Sequence, residues 1–168
     1  GDFCFRCLET PGHSPGHLCL YDTAKKVFVC GDHILFDITP NITYWPEMDN
    51  SLKQYLSSLA KVYDLEVELL LPGHRSLIHD HRKRIEELRV HHQNRLDEVL
   101  SALENGGKDA YHIVPYVTWK IDCDSWEDFP PPQKWFAFSE TMAHLLYLEQ
   151  EGKIRQESRD NKITFTLN

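Results

Sequence analysis

Apolar and polar residues alternate at the start of the chain. The period-two pattern predicts strands over residues 3–8 (FCFRCL), 18–22 and 26–30 (KVFVC), the last two joined by the turn Asp22-Thr23-Ala24-Lys25. Gly31-Asp32-His33 ends the third strand, and residues 34–48 form a loop rich in aromatic residues and proline. The period then changes. Leu52, Leu56, Leu59 and Val62 mark one face of a helix, N-capped by Asp49 or Asn50 and running to about Asp64. Glu66 to Leu71 predicts a short buried strand stopped by Pro72-Gly73. A long charged helix follows from about Asp80 to Asn105, with Ile85, Leu88, Leu96, Val99 and Leu103 as its apolar stripe and Gly106-Gly107 as its stop.

The pattern shifts again after Gly107. A short helix is expected over residues 108–118, an acidic, proline-rich connection over 120–134, and a helix over 137–151 that buries Met142, Leu145, Leu146 and Leu148. Lys153–Glu157 and Lys162–Leu167 predict a hairpin joined by Arg159-Asp160-Asn161. Helix, helix and a two-stranded wing is the order of a small winged-helix module. The expected domains are therefore residues 1–105 and 106–168. Trp119, Trp126 and Trp135 flank the acidic connection and are expected to glue the small domain to the large one. His79, His81 and the pair His91-His92 lie in or beside a charged helix and are expected on its solvated face.

Composition narrows the class. Hydrophobic residues make up 41% and charged residues 26%, which points to a soluble globular protein. No apolar run reaches the roughly 18 residues of a membrane span. Gly1-Asp2-Phe3-Cys4-Phe5 has neither the basic nor the apolar region of a signal peptide, and the chain is expected to begin mid-protein. Five cysteines, an odd number with no secretion signal, suggest reduced thiols and a cytoplasmic location. Cys4-x-x-Cys7 stands without a second such pair and is expected to be half-buried strand. The net charge of −8 disfavours a phosphate-tracking surface.

Three motifs carry chemistry: Thr10-Pro-Gly-His13-Ser-Pro-Gly-His17, Phe28-Val-Cys-Gly-Asp32, and Leu70-Leu-Pro-Gly-His74. Each places a metal-competent side chain just past a strand, after glycine or proline residues that allow a sharp turn and close backbone approach. Two imidazoles and a carboxylate suit zinc or a similar divalent metal, and a carboxylate can bridge two ions. His13, Asp32 and His74 are expected to converge, with side-chain ends within roughly 4 to 8 Å. The same three residues could instead hydrogen-bond one another and simply pin loops.

Taken in order, these motifs resemble the second half of the metallo-β-lactamase motif series. The chain is similar to the glyoxalase-II-like and lactamase-like hydrolases that carry a C-terminal winged helix. The resemblance implies an α/β (α+β) fold, the C-terminal half of an αββα sandwich followed by the winged-helix-like domain. It implies that His13 binds one metal, Asp32 bridges, His74 binds the second, and His17 is structural. It implies two zinc ions in the intact parent, and metal-bound hydroxide attacking an ester or thioester of a small-molecule substrate. The signature HxHxDH lies upstream in the family. Only twelve residues precede His13, none of them His, so this chain is expected to be an incomplete portion, inactive alone and with metal absent or partial. His79-Asp80-His81 matches that signature only at its two histidines. Lys83 and Arg84 stand where Asp and His belong.

Two other classes remain open: a nuclease of the same fold, and a non-catalytic dimerisation module. Residues 105–168 hold seven Lys plus Arg against ten Asp plus Glu, which argues against nucleic acid. Phe36, Tyr44 and Trp45 either line a substrate cleft or cover core. With half a sandwich absent, one sheet face would be bare, so a homodimer or pairing with a missing N-terminal half is expected.

Overall fold

The computed structural model describes every residue except Asp160 and Asn161, together with the side chain of Arg159. It is a mixed α/β structure with two compact units, Gly1–Val90 and His91–Asn168. The helix α2 (His81–Leu103) belongs to both, its first half to one and its second half to the other.

The N-terminal unit is built on a four-stranded sheet in the order β1 (Arg6–Glu9), β2 (Leu18–Asp22), β3 (Val27–Gly31) and β4 (Leu69–Pro72). The first three strands are antiparallel, and β3 and β4 are parallel, with Phe28 opposite Leu70. Cys19, Tyr21, Phe28, Cys30 and Leu70 are buried on one face. By strand alternation Leu18, Leu20, Val27, Val29, Leu69 and Leu71 lie on the other, where none is buried and Leu18 is half exposed. Between β3 and β4 runs α1 (Ser51–Tyr63), capped by Asn50, whose Oδ1 accepts from the Lys53 amide at 2.9 Å. It buries Leu52, Tyr55, Leu59 and Val62, so Tyr55 rather than Leu56 completes the core-facing stripe.

Two strand boundaries differ from expectation. The first strand begins at Arg6, because β2 offers register partners only from Arg6 to Glu9. Phe3 and Phe5 stack on each other outside it, and Cys4 and Cys7 are exposed rather than half-buried. The last strand of the sheet begins at Leu69. Glu66 and Glu68 instead reach out to Lys26 at 3.2 and 3.5 Å, which keeps their carboxylates in water.

In the C-terminal unit α3 (Ala110–Ile113) is short, and a 3-10 turn over Val114–Tyr116 follows it. Pro115 cannot donate an amide and so stops the α-helix. The helix α4 (Pro131–Gln150) begins six residues before its expected start at 137. Pro131 and Pro132 occupy the first turn, where the missing amides would have had no intrahelical partner, so the apparent linker is the helix start. Leu145 and Leu148 are fully buried, while Met142 and Leu146 are only partly so. Trp126 packs with Val114, Ala137, Trp119 and Phe129 inside this unit, and Trp135 is exposed. Strands β5 (Ile154–Arg159) and β6 (Lys162–Leu167) form the antiparallel hairpin. Its expected turn at Asp160-Asn161 lies outside the described residues. Lys108 and Phe165 exchange backbone hydrogen bonds at 3.1 and 2.8 Å. No helix among the described residues is long and apolar enough to cross a membrane.

Candidate metal centre at the strand ends

The turn that carries His13 is pinned to α1. Gly12 has φ of 141° and lies so close to the helix that a Cβ would stand 2.4 Å from Tyr55 Cβ. Only glycine fits both constraints. Ser58 Oγ donates to the Pro11 carbonyl at 2.9 Å, and Trp45 Nε1 donates to the His13 carbonyl at 3.1 Å. His13 Nδ1 donates to the Asn41 carbonyl at 3.0 Å. A carbonyl only accepts, so the neutral ring carries its lone pair on Nε2.

That Nε2 faces Asp32 Oδ2 at 3.6 Å. His74 Nε2 faces the other oxygen, Oδ1, at 3.5 Å. Asp32 follows Gly31, and the Gly73 amide donates back to the Gly31 carbonyl at 2.8 Å. A Cβ on Gly73 would stand 2.5 Å from Asp32 Oδ1, so the glycine makes room for the carboxylate. The structure thus brings His13, Asp32 and His74 together, with one carboxylate oxygen addressed to each imidazole. Asp32 and His13 are each 30% exposed and His74 is 64% exposed, so the group opens to solvent.

Behind it lies a second layer of side chains, in which His33, Cys19 and Cys30 are buried. His17 Nδ1 meets Thr10 Oγ1 at 2.9 Å, and burial, then the nearby His13, lower its pKa against the opposing pull of Asp32. His33 has no hydrogen-bond partner on either ring nitrogen and packs edge-on against Tyr55. Burial above all, with His17 next, pushes its pKa down to about 3, so the ring is neutral. Burial raises the Cys19 thiol to about 11 and the Cys30 thiol further still. The sequence marks His33 only as the end of a strand, not as a buried ring. Its one signal was a polar residue at the head of the apolar run Ile34-Leu35-Phe36.

Of the residues expected on solvated faces, His79 is exposed, but His81 is buried with Nε2 on the Tyr63 carbonyl at 3.2 Å. His92 is fully buried and His91 half-buried. A charged helix still has one face turned inward, and these positions fall on it. Trp45 pins the His13 turn, while Phe36 and Tyr44 are exposed.

Residues 2–74 match the metallo-beta-lactamase superfamily model, and all three motifs lie within that span. Residues 2–74 are part of a metallo-β-lactamase superfamily domain. Two solved structures of this fold resemble almost all of it. One is a metallo-beta-lactamase family protein from Thermus thermophilus, with 34% identity, a TM-score of 0.82, and coverage of 98% of this chain and 49% of that one. Another is a beta-lactamase domain protein from Burkholderia ambifaria, with 31% identity, a TM-score of 0.88, and coverage of 100% and 49%. Among curated relatives, the beta-lactamase-like protein 2 homolog of Drosophila melanogaster is 28% identical over 154 residues, 89% of this chain and 47% of the relative. An atrochrysone carboxyl ACP thioesterase of Aspergillus fumigatus is 29% identical over 100 residues, 60% of this chain and 30% of the relative. This chain therefore spans about half or less of the length of the proteins it resembles.

Proposed function

We propose that the intact protein is a metal-dependent hydrolase of ester or thioester bonds, and that His13, Asp32 and His74 are part of its metal site. The observation that carries this is the Asp32 carboxylate set between two imidazoles, one oxygen to each. That donor set fits zinc or a similar divalent metal, and the His13–Asn41 hydrogen bond is the outer support such ligands use to fix their tautomer. A bound metal supplies Lewis acidity toward the scissile carbonyl and acidifies water at the site. The chain's own groups do the rest. Asn41 aims the His13 lone pair, Gly73 leaves space for Asp32, and His17 and His33 back the group with uncharged rings. Phe36 and Tyr44 are offered to an apolar acyl group. The thioester choice draws on the Aspergillus fumigatus relative's name.

Three donors divided over two metal positions hold metal weakly, and this chain alone is inactive in our reading. The half-exposed face bearing Leu18, Leu20 and Val29 is covered by an N-terminal half or by a second copy of the chain. The C-terminal unit is winged-helix-like, and its acidic balance does not suit nucleic acid. Five free thiols, two of them buried, suit a reducing compartment such as the cytoplasm.

The test is hydrolysis of a simple acyl thioester by the full-length protein, with metal counted by elemental analysis. Asp32→Asn should lower kcat/KM at least about 100-fold and reduce the metal content. Full activity in that variant would remove Asp32 from the site. Parent-level activity from the 168-residue chain with zinc would refute its incompleteness.

A further inference from the structure

We propose a second divalent-metal site, inside the C-terminal unit and separate from the strand-end group, formed by His91 and His92 of α2 and Glu140 of α4. One donor atom from each of the three lies within 4.8 Å of the others, the one such group among the described residues. His92 and Glu140 are buried and His91 is half-buried, so the group lies inside the protein.

The hydrogen bonds prepare His92 for this role. His144 Nδ1 meets the Glu140 backbone carbonyl at 2.8 Å, and a carbonyl only accepts. His144 therefore donates through Nδ1, and its Nε2 carries the lone pair. That Nε2 lies 3.2 Å from His92 Nδ1, which must then be the donor. The lone pair of neutral His92 is left on Nε2. A ligating histidine has this form, with one nitrogen for the metal and the other N–H held by an acceptor. Burial keeps both rings neutral, the only state in which imidazole ligates: the pKa of His144 falls to about 3 and that of His92 well below the ordinary value.

Arg95 is the charge that opposes a cation here. It is buried and paired with Glu140 through Oε1, and its second nitrogen donates to the Thr118 carbonyl at 3.0 Å. It lies over Trp119, 4.3 Å from the ring centroid. A carboxylate has two oxygens, so Glu140 can keep Arg95 on one and meet a metal with the other. Water would complete the coordination. Two imidazoles and a carboxylate select a borderline transition ion such as zinc over calcium or magnesium. Small units often use a metal to staple elements that share a limited core, and this one would tie α2 to α4.

The test uses the whole 168-residue chain, stripped with chelator and titrated with cobalt(II), whose visible absorbance reports coordination. The strand-end group is disabled by Asp32→Asn, a near-isosteric change at a partly exposed residue. That variant should still bind about one cobalt per chain with a visible band, and its thermal midpoint should rise on loading. Adding His91→Gln should weaken this binding at least about tenfold. His91 is only half-buried, and the double variant should keep its near-ultraviolet circular dichroism. His92→Gln, fully buried, serves as a second variant if it folds. Absence of bound cobalt in Asp32→Asn, or binding that ignores His91→Gln, overturns the proposal. Neither result bears on the strand-end site, which the hydrolysis experiment judges.

Discussion

The two units each gather histidines around a carboxylate, and they do so by opposite means. In the N-terminal unit His13, Asp32 and His74 stand on turns after strands, 30 to 64% exposed, and are aimed by backbone groups such as the Asn41 carbonyl. In the C-terminal unit His92, His144 and Glu140 are buried on two helices and are held by one another and by Arg95. The first arrangement leaves side chains open to meet a ligand, and glycines in the turns supply the close approaches. The second takes charge and polarity out of water, which is stable only while every partner is present.

The contrast breaks most visibly at Glu140. Glu140→Ala leaves Arg95 buried without its carboxylate and should destabilise the fold by about 3–5 kcal/mol in urea unfolding. Asp32→Asn in the same assay should stay within about 0.5 kcal/mol. Equal losses would mean that the strand-end group is structural after all. Next in size is Gly12→Ala, which meets both a φ of 141° and Tyr55. It should lose about 2–3 kcal/mol, with the loss registered by circular dichroism melts.

A pH series on metal-free protein sharpens the comparison further. His92 and His144 have pKa values lowered by burial, in His144 to about 3, whereas in the unfolded chain they titrate near the ordinary value. Below about pH 6.5 the unfolded chain binds protons that the folded chain refuses. Stability is therefore full above that pH and falls as pH drops toward 3, by up to about 1.4 kcal/mol per pH unit for each ring. His33 adds the same sign from the N-terminal unit. Stability that stayed flat from pH 7 to pH 5 would show that these rings take up protons as readily in the fold as in the unfolded chain. The smallest effect belongs to His79, exposed and outside both groups. His79→Ala should leave metal content unchanged and stability within about 0.5 kcal/mol.

How far each region could be read from sequence follows the same division. His13, Asp32 and His74 are announced by Pro and Gly neighbours, because the backbone must turn sharply or approach closely at fixed offsets from them. The α1 cap at Asn50 was legible for a similar local reason. His92 and His144 have no such neighbours. Their burial depends on which face of α2 meets α4, and the weak apolar periodicity around them does not encode it. Pro130-Pro131-Pro132 misled in another way. Proline breaks a helix interior but favours its first turn, and only the packing of Ala137 and Trp126 shows which applies. His81 was misplaced because a single charged neighbourhood hid one buried position.

The parallel pairing of β3 with β4 also sets an order of events. Asp32 and His13 are joined through the antiparallel β2–β3 ladder, whose loop is a tight turn. His74 reaches Asp32 only when β4 docks beside β3, and all of α1 and its flanking loops must be enclosed first. Closing a loop of that length precedes any reward from the contact it makes, which slows the step. During refolding the two-residue half of the group should therefore exist before the third member arrives. Substitutions in β4 or α1 should delay its arrival more than those in the β2–β3 turn.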